Sequence, residues 1–148
     1  NSMYRALRCN KITISLMESI LRTYIDSESV DKNNLTFELL TNSRSKLKLN
    51  GKNILSKIGN SIIKKYDIQL IESYVHAGSG SLPIENIESM ALTFNSKNIS
   101  ASYLSKIFRY SKYPIVGYIK SKIFHIDLKA IPSDQIKSLI ETINSSLK

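Results

Sequence analysis

Near residue 67 the hydrophobic period changes, and that change restricts the chain to folds that place helices before a small sheet. Before it, apolar residues recur at helical spacing. Positions 12, 16, 17, 20, 21, 24 and 25 form one stripe, with Asn10 placed to cap its start and Asp26-Ser27-Glu28-Ser29 to end it. Thr36–Leu40 reads as a helical turn. A longer basic helix is expected from about Ser43 to Lys65, with Leu47, Ile54, Leu55, Ile58 and Ile62 inward. Gly51 and Gly59 weaken it, and a break is expected near Asn50-Gly51.

After residue 67 the period shortens. Ile68 to Val75 predicts a strand that runs into Gly78-Ser79-Gly80-Ser81-Leu82-Pro83, and Ser89 to Phe94 a second strand with Met90, Leu92 and Phe94 on one face. Ser102–Tyr110 returns to helix. Ile115–Ile119 and Ile123–Leu128 flank Lys120-Ser121-Lys122 as an antiparallel hairpin. Pro132-Ser133-Asp134 opens a last helix. The order predicts an α+β fold: a small, mostly antiparallel sheet covered by helices and preceded by a long amphipathic helix.

Charge narrows the partners. Over 148 residues, 21 Lys and Arg against 12 Asp and Glu leave a formal charge of +9. Such a balance favours polyanions, because each neutralised phosphate releases counterions. It equally fits a Lys-rich surface in a chain rich in Ile, Asn, Ser and Lys. The one cysteine, Cys9, excludes an internal disulfide and suits a reducing cytosol. No apolar run is long enough to span a bilayer, so a soluble cytoplasmic protein is expected.

No complete catalytic set is visible. His76 and His125 are not spaced as metal ligands, and one cysteine does not complete a zinc site. His76 is expected as a partly buried structural residue and His125 as a surface or edge residue. Gly78 and Gly80 lack the third glycine and following helix of a dinucleotide fingerprint. Two motifs remain. Arg5 and Arg8 stand three residues apart and face one way if helical, and paired guanidinium forks suit phosphate or carboxylate. The Gly78–Pro83 run, with Ser79, Gly80 and Ser81 at its centre, is a loop whose backbone can approach a ligand closely. Either motif also reads plainly, as a solvated helix entrance and as a connection between strands.

Three blocks carry a resemblance. Arg5-Ala6-Leu7-Arg8-Cys9-Asn10-Lys11-Ile12-Thr13 opens a helix that ends near Leu21-Arg22-Thr23-Tyr24. Gly78-Ser79-Gly80-Ser81-Leu82-Pro83 is followed by Ala91-Leu92-Thr93-Phe94, and Pro114-Ile115-Val116-Gly117-Tyr118-Ile119 by Ile126-Asp127-Leu128-Lys129. In this order they resemble the C-terminal part of bacterial selenocysteine synthase, the L-seryl-tRNA(Sec) selenium transferase family of fold-type-I pyridoxal phosphate enzymes. The departures are small: Cys9, Asn10 for the usual Asp, and Lys129 where the family pattern has Arg.

The resemblance implies that residues 1–30 form a linking helix from a cofactor domain and residues 31–148 a C-terminal small domain. It implies that the pyridoxal phosphate lysine and the tRNA-binding N-terminal domain lie before Asn1, leaving this stretch inactive alone and without cofactor. It implies seryl-tRNA(Sec) and selenophosphate as substrates, Arg5 and Arg8 as the selenophosphate-binding pair, and Ser79, Gly80 and Ser81 as an active-site loop. Homo-oligomers built as rings of dimers are implied as well. A different class of function is an autonomous basic RNA-binding module without catalysis. Against it, the eight tyrosines are expected mostly on apolar faces rather than on an exposed stacking platform.

Overall fold

The computed structural model describes residues 3, 7–25, 34–76 and 86–148. It divides into two compact units, Asn1–Glu38 and Leu39–Lys148. The Gly-Ser motif, including Ser79, Gly80 and Ser81, lies outside the described residues, as does Arg5.

In the first unit, helix α1 spans Lys11–Ile25. The Asn10 side chain caps it, its Oδ1 accepting from the Thr13 amide at 2.8 Å and the Thr13 hydroxyl at 2.9 Å. Glu18 and Arg22 pair one turn apart at 2.7 Å on the exposed surface. At its end the Tyr24 ring meets Phe37 edge-on, centroids 6.5 Å apart, and the Tyr24 hydroxyl accepts from Asn34 at 3.3 Å. No residue of α1 is buried.

The second unit holds the sheet. Helix α2 (Leu35–Thr41) leads into it, then α3 (Arg44–Lys57) and α4 (Asn60–Tyr66). The break expected near Asn50-Gly51 falls instead at Ile58-Gly59. Gly51 stays helical because it is packed: a Cβ there would lie 2.5 Å from Leu70 and 3.1 Å from Leu128. The Asp67 backbone turns left-handed, φ 42°, and starts the first strand.

Strands β1 (Ile68–Val75), β2 (Ile87–Phe94), β3 (Tyr118–Lys120) and β4 (Ile123–Asp127) form one antiparallel sheet in the order β1-β2-β4-β3. The fold class is thus α+β, as the change of period implies. Helix α5 (Ala101–Arg109) lies between β2 and β3, and α6 (Ile136–Ser146) ends the chain after two 3-10 turns, Leu128–Ala130 and Ser133–Gln135. The second of these turns, rather than α6 itself, begins at Ser133. The core joins Leu47, Ile54 and Ile58 to Leu92, Phe94, Phe124, Leu104, Phe108, Leu139 and Ile143. At its centre Phe94, Phe108 and Phe124 pack as a trio with centroids 5.3–6.0 Å apart.

Two expectations are corrected in the hairpin. The strand before it is only Tyr118–Lys120, because residues 115–117 make no ladder with β4. The turn is the residue pair Ser121 and Lys122, both left-handed at φ 52° and 65°, the geometry that matches strand twist. Gly117 is needed where the chain enters β3. A Cβ there would collide with the His125 carbonyl oxygen and sit 2.6 Å from the Phe124 ring.

Candidate functional site

Three strands converge on one carboxylate. Asp127 ends β4 opposite Ala91 of β2, and the pair Ser73–Ser89 joins β1 to β2 two positions from the end of their ladder. That register aims both serines at Asp127. Ser73 donates to Oδ2 at 2.8 Å, Ser89 to Oδ1 at 2.5 Å, and the Lys129 amide to Oδ1 at 3.0 Å. Ser89 is fully buried. The carboxylate is a clasp: its lone pairs are occupied by three donors, and it ties together the strands from which the connection 76–86 springs.

Lys129 extends the clasp. Its ammonium donates to the Leu40 carbonyl at 3.2 Å and the Asn42 carbonyl at 2.9 Å, at the C-terminal end of α2. It is buried at 6% exposure. Burial pulls its pKa below the ordinary lysine value, against the opposing charges of Asp127 and Glu88. On the opposite sheet face Arg44, at the start of α3, pairs with Glu72 of β1 and more loosely, at 3.7 Å, with Glu88 of β2. Both carboxylates are well exposed, so these pairs are worth under about 1 kcal/mol each.

Beyond Asp127, the His125 ring stacks on Tyr118 with centroids 4.9 Å apart, and its Nδ1 lies 3.0 Å from the Ile123 carbonyl. His125 is buried at 6% exposure, not a surface or edge residue, because β4 is an inner strand. The Tyr118 phenol ionises above its ordinary range, first through burial and then through the negative charge of Asp127. His76, expected as partly buried, is exposed at the end of β1. The tyrosines also depart from expectation: Tyr24, Tyr74, Tyr103, Tyr110, Tyr113 and Tyr118 are exposed and Tyr66 is buried.

Of the residues singled out in the sequence, Arg8 is described. It is exposed and stands two residues before the Asn10 cap of α1. Arg8 belongs to the first unit and the clasp to the second. Ser73, Ser89, Arg44, Glu72 and Glu88 went unremarked in the sequence. Their signal was a Glu-Ser pair set in each of two otherwise largely apolar strands, and a lone Arg at a helix start, which acquires meaning only once the register is known.

Among the described residues no group of histidine, cysteine and carboxylate side chains could hold a metal ion. The cofactor implied by the resemblance needs a lysine amine free to bond its aldehyde carbon. The buried Lys129 amine is committed to two carbonyls. No described helix is long and apolar enough to cross a membrane.

Comparison with known proteins bears on the whole chain. A family model described as L-seryl-tRNA selenium transferase matches residues 1–132. Curated relatives carry the name L-seryl-tRNA(Sec) selenium transferase. That of Haemophilus influenzae strain PittEE is 33% identical over 95% of this chain and 30% of its own length. That of Actinobacillus pleuropneumoniae serotype 5b is 32% identical over 93% of this chain and 30% of its own. That of Alkaliphilus oremlandii is 27% identical over the whole of this chain and 32% of its own. The chain therefore spans about a third of the length of these relatives. The match takes in the arginine pair, the Gly-Ser motif and the Asp127 clasp together, and the chain belongs to the L-seryl-tRNA selenium transferase family.

Proposed function

We propose that this chain forms part of an enzyme that converts seryl-tRNA(Sec) to selenocysteinyl-tRNA(Sec), and that Arg5 and Arg8 bind its selenophosphate donor. The observation that carries the reading is the position of Arg8: exposed, just ahead of the capped N-terminus of α1, inside the family match. A helix N-terminus carries partial positive charge, which adds to that of the guanidinium groups at an oxyanion. Two forks on one phosphoryl group fix its orientation, so that selenium is presented in one direction.

Ser79, Gly80 and Ser81 serve in this reading as a loop beside the reacting groups, donating backbone N–H or hydroxyl hydrogen bonds. The Asp127 clasp supports it mechanically, because it locks both strands that carry the loop. Pyridoxal phosphate belongs to the reading as a cofactor held outside the described residues. The 148-residue chain by itself is then inactive, and the working form is a cytoplasmic homo-oligomer, a ring of dimers.

The test is steady-state selenium transfer in the protein that carries this chain, with selenophosphate varied. Replacing Arg5 or Arg8 by Ala removes about 2–4 kcal/mol of transition-state stabilisation, about 30- to 1000-fold in kcat/KM. Arg8→Lys retains charge but not the fork and recovers only part of that loss. Unchanged kcat/KM in both Ala variants refutes the assignment.

A further inference from the structure

Residues 89–126 contain six Lys and Arg and no Asp or Glu. The densest part is α5 and the segment that follows it. Ala101, Leu104 and Phe108 form its buried side. On the solvent side Tyr103, Lys106 and Tyr110 recur at i, i+3 and i+7, one line along the helix. Tyr103 is 56% exposed and Tyr110 78%. Arg109 is exposed beside them, and the Lys112 ammonium lies 5.0 Å from the centroid of the Tyr113 ring. None of these cations takes part in the described ion pairs, which are Glu18–Arg22, Glu72–Arg44 and Glu88–Arg44.

A lysine-rich surface explains the cations but not the rings. Solvated aromatic side chains add little to the fold, whereas rings interleaved with cations suit a chain that is both aromatic and anionic. At about 1.5 Å per residue, Tyr103 and Tyr110 stand about 10 Å apart along the axis, about three stacked nucleotide steps. We propose that this face binds unpaired nucleotides of an RNA, with bases stacked on Tyr103, Tyr110 and Tyr113 and phosphates met by Lys106, Arg109 and Lys112. The proposal deepens the reading above and rests on it for the identity of the RNA as an aminoacyl-tRNA. A second copy of the chain fits this face poorly, because a two-fold contact would set the same cations against one another.

The test uses the 148-residue chain and two fluorescein-labelled RNA probes, a 12-nucleotide single strand and a duplex of the same length. Binding is measured by anisotropy across a salt series. The single strand is expected to bind more tightly than the duplex. Tyr103→Ala with Tyr110→Ala should weaken it tenfold or more without changing the salt slope. Lys106→Gln, Arg109→Gln and Lys112→Gln together should lower the log–log salt slope by about 2, at about 0.7 per phosphate contact. Far-UV circular dichroism of both variants should match the parent, since every changed side chain is exposed. The proposal is overturned if the chain does not bind the single strand, if the duplex binds as well, or if the tyrosine variant keeps its affinity within twofold. It is also overturned if that variant breaks up a self-associated form in ultracentrifugation while RNA binding is retained. This assay is independent of turnover: intact selenium transfer with no role for the tyrosines sinks the RNA face alone. RNA binding by the chain, with no selenium transfer by the protein that carries it, sinks the transferase reading, and the face then belongs to a basic RNA-binding module.

Discussion

Removing the Asp127 carboxylate should cost more than any surface change in the molecule. Asp127→Ala strands three donors at once. The Ser89 hydroxyl, fully buried and 2.5 Å from the carboxylate, has no access to water. The Lys129 amide belongs to a residue 6% exposed, whereas half-buried Ser73 can turn to solvent. Hydrogen bonds to a charged acceptor contribute about 1.5–3 kcal/mol each, and orphaned buried donors cost about 1–3 kcal/mol each. Two such losses and a smaller third give about 3–5 kcal/mol. At about 3 °C per kcal/mol for a domain of this size, the melting temperature should fall by about 9–15 °C. Urea unfolding followed by far-UV circular dichroism measures it. Ser89→Ala should cost about 1–2 kcal/mol and Ser73→Ala less, with Ser89 and Asp127 coupled in a double-mutant cycle. A cost under about 1 kcal/mol for Asp127→Ala, or a larger effect at Ser73 than at Ser89, refutes the clasp.

Other predictions concern the neighbours of this cluster. Gly117→Ala drives a methyl group into the His125 carbonyl and the Phe124 ring; it should destabilise by about 2–4 kcal/mol in the same assay, and a neutral result would mean the hairpin entrance can shift. The Tyr118 phenol is raised by burial and by Asp127, so its stabilising contribution is full below pH 10 and is lost as pH rises through its folded pKa. Absorbance titration at 295 nm should show one tyrosine lagging the rest, absent in Tyr118→Phe. Lys129 has the opposite sign: its folded pKa lies below 10.5, so the unfolded state holds more protons in that window and this group makes stability rise with pH up to 10.5. Comparing unfolding free energies of the native chain and Lys129→Met across pH 8–10.5 isolates that slope, and parallel curves would contradict it.

Most of the architecture was legible because it follows from local periodicity. The α1 stripe, its Asn10 cap, the core faces of β2 and α5 and the order of elements are each set within a few neighbouring residues. Failures arose where distant contacts decide. Gly51 stays helical only because Leu70 and Leu128 close over it, and the break moves to Gly59, where no such packing acts. His125 is buried because β4 lies between β2 and β3, a pairing absent from the local pattern. The clasp was hidden for the same reason: Ser73, Ser89 and Asp127 are separated by up to 54 residues. The arginine pair and the Gly-Ser motif stood out by residue type alone, and of these only Arg8 falls among the described residues.

The most direct measurement is mass spectrometry of the aminoacyl group after the protein carrying this chain is incubated with seryl-tRNA(Sec), selenophosphate and pyridoxal phosphate. The account predicts selenocysteine on the tRNA, and its loss when Arg5 and Arg8 are both changed to Ala while seryl-tRNA still binds. Serine left unchanged by the native protein under saturating substrates would contradict it.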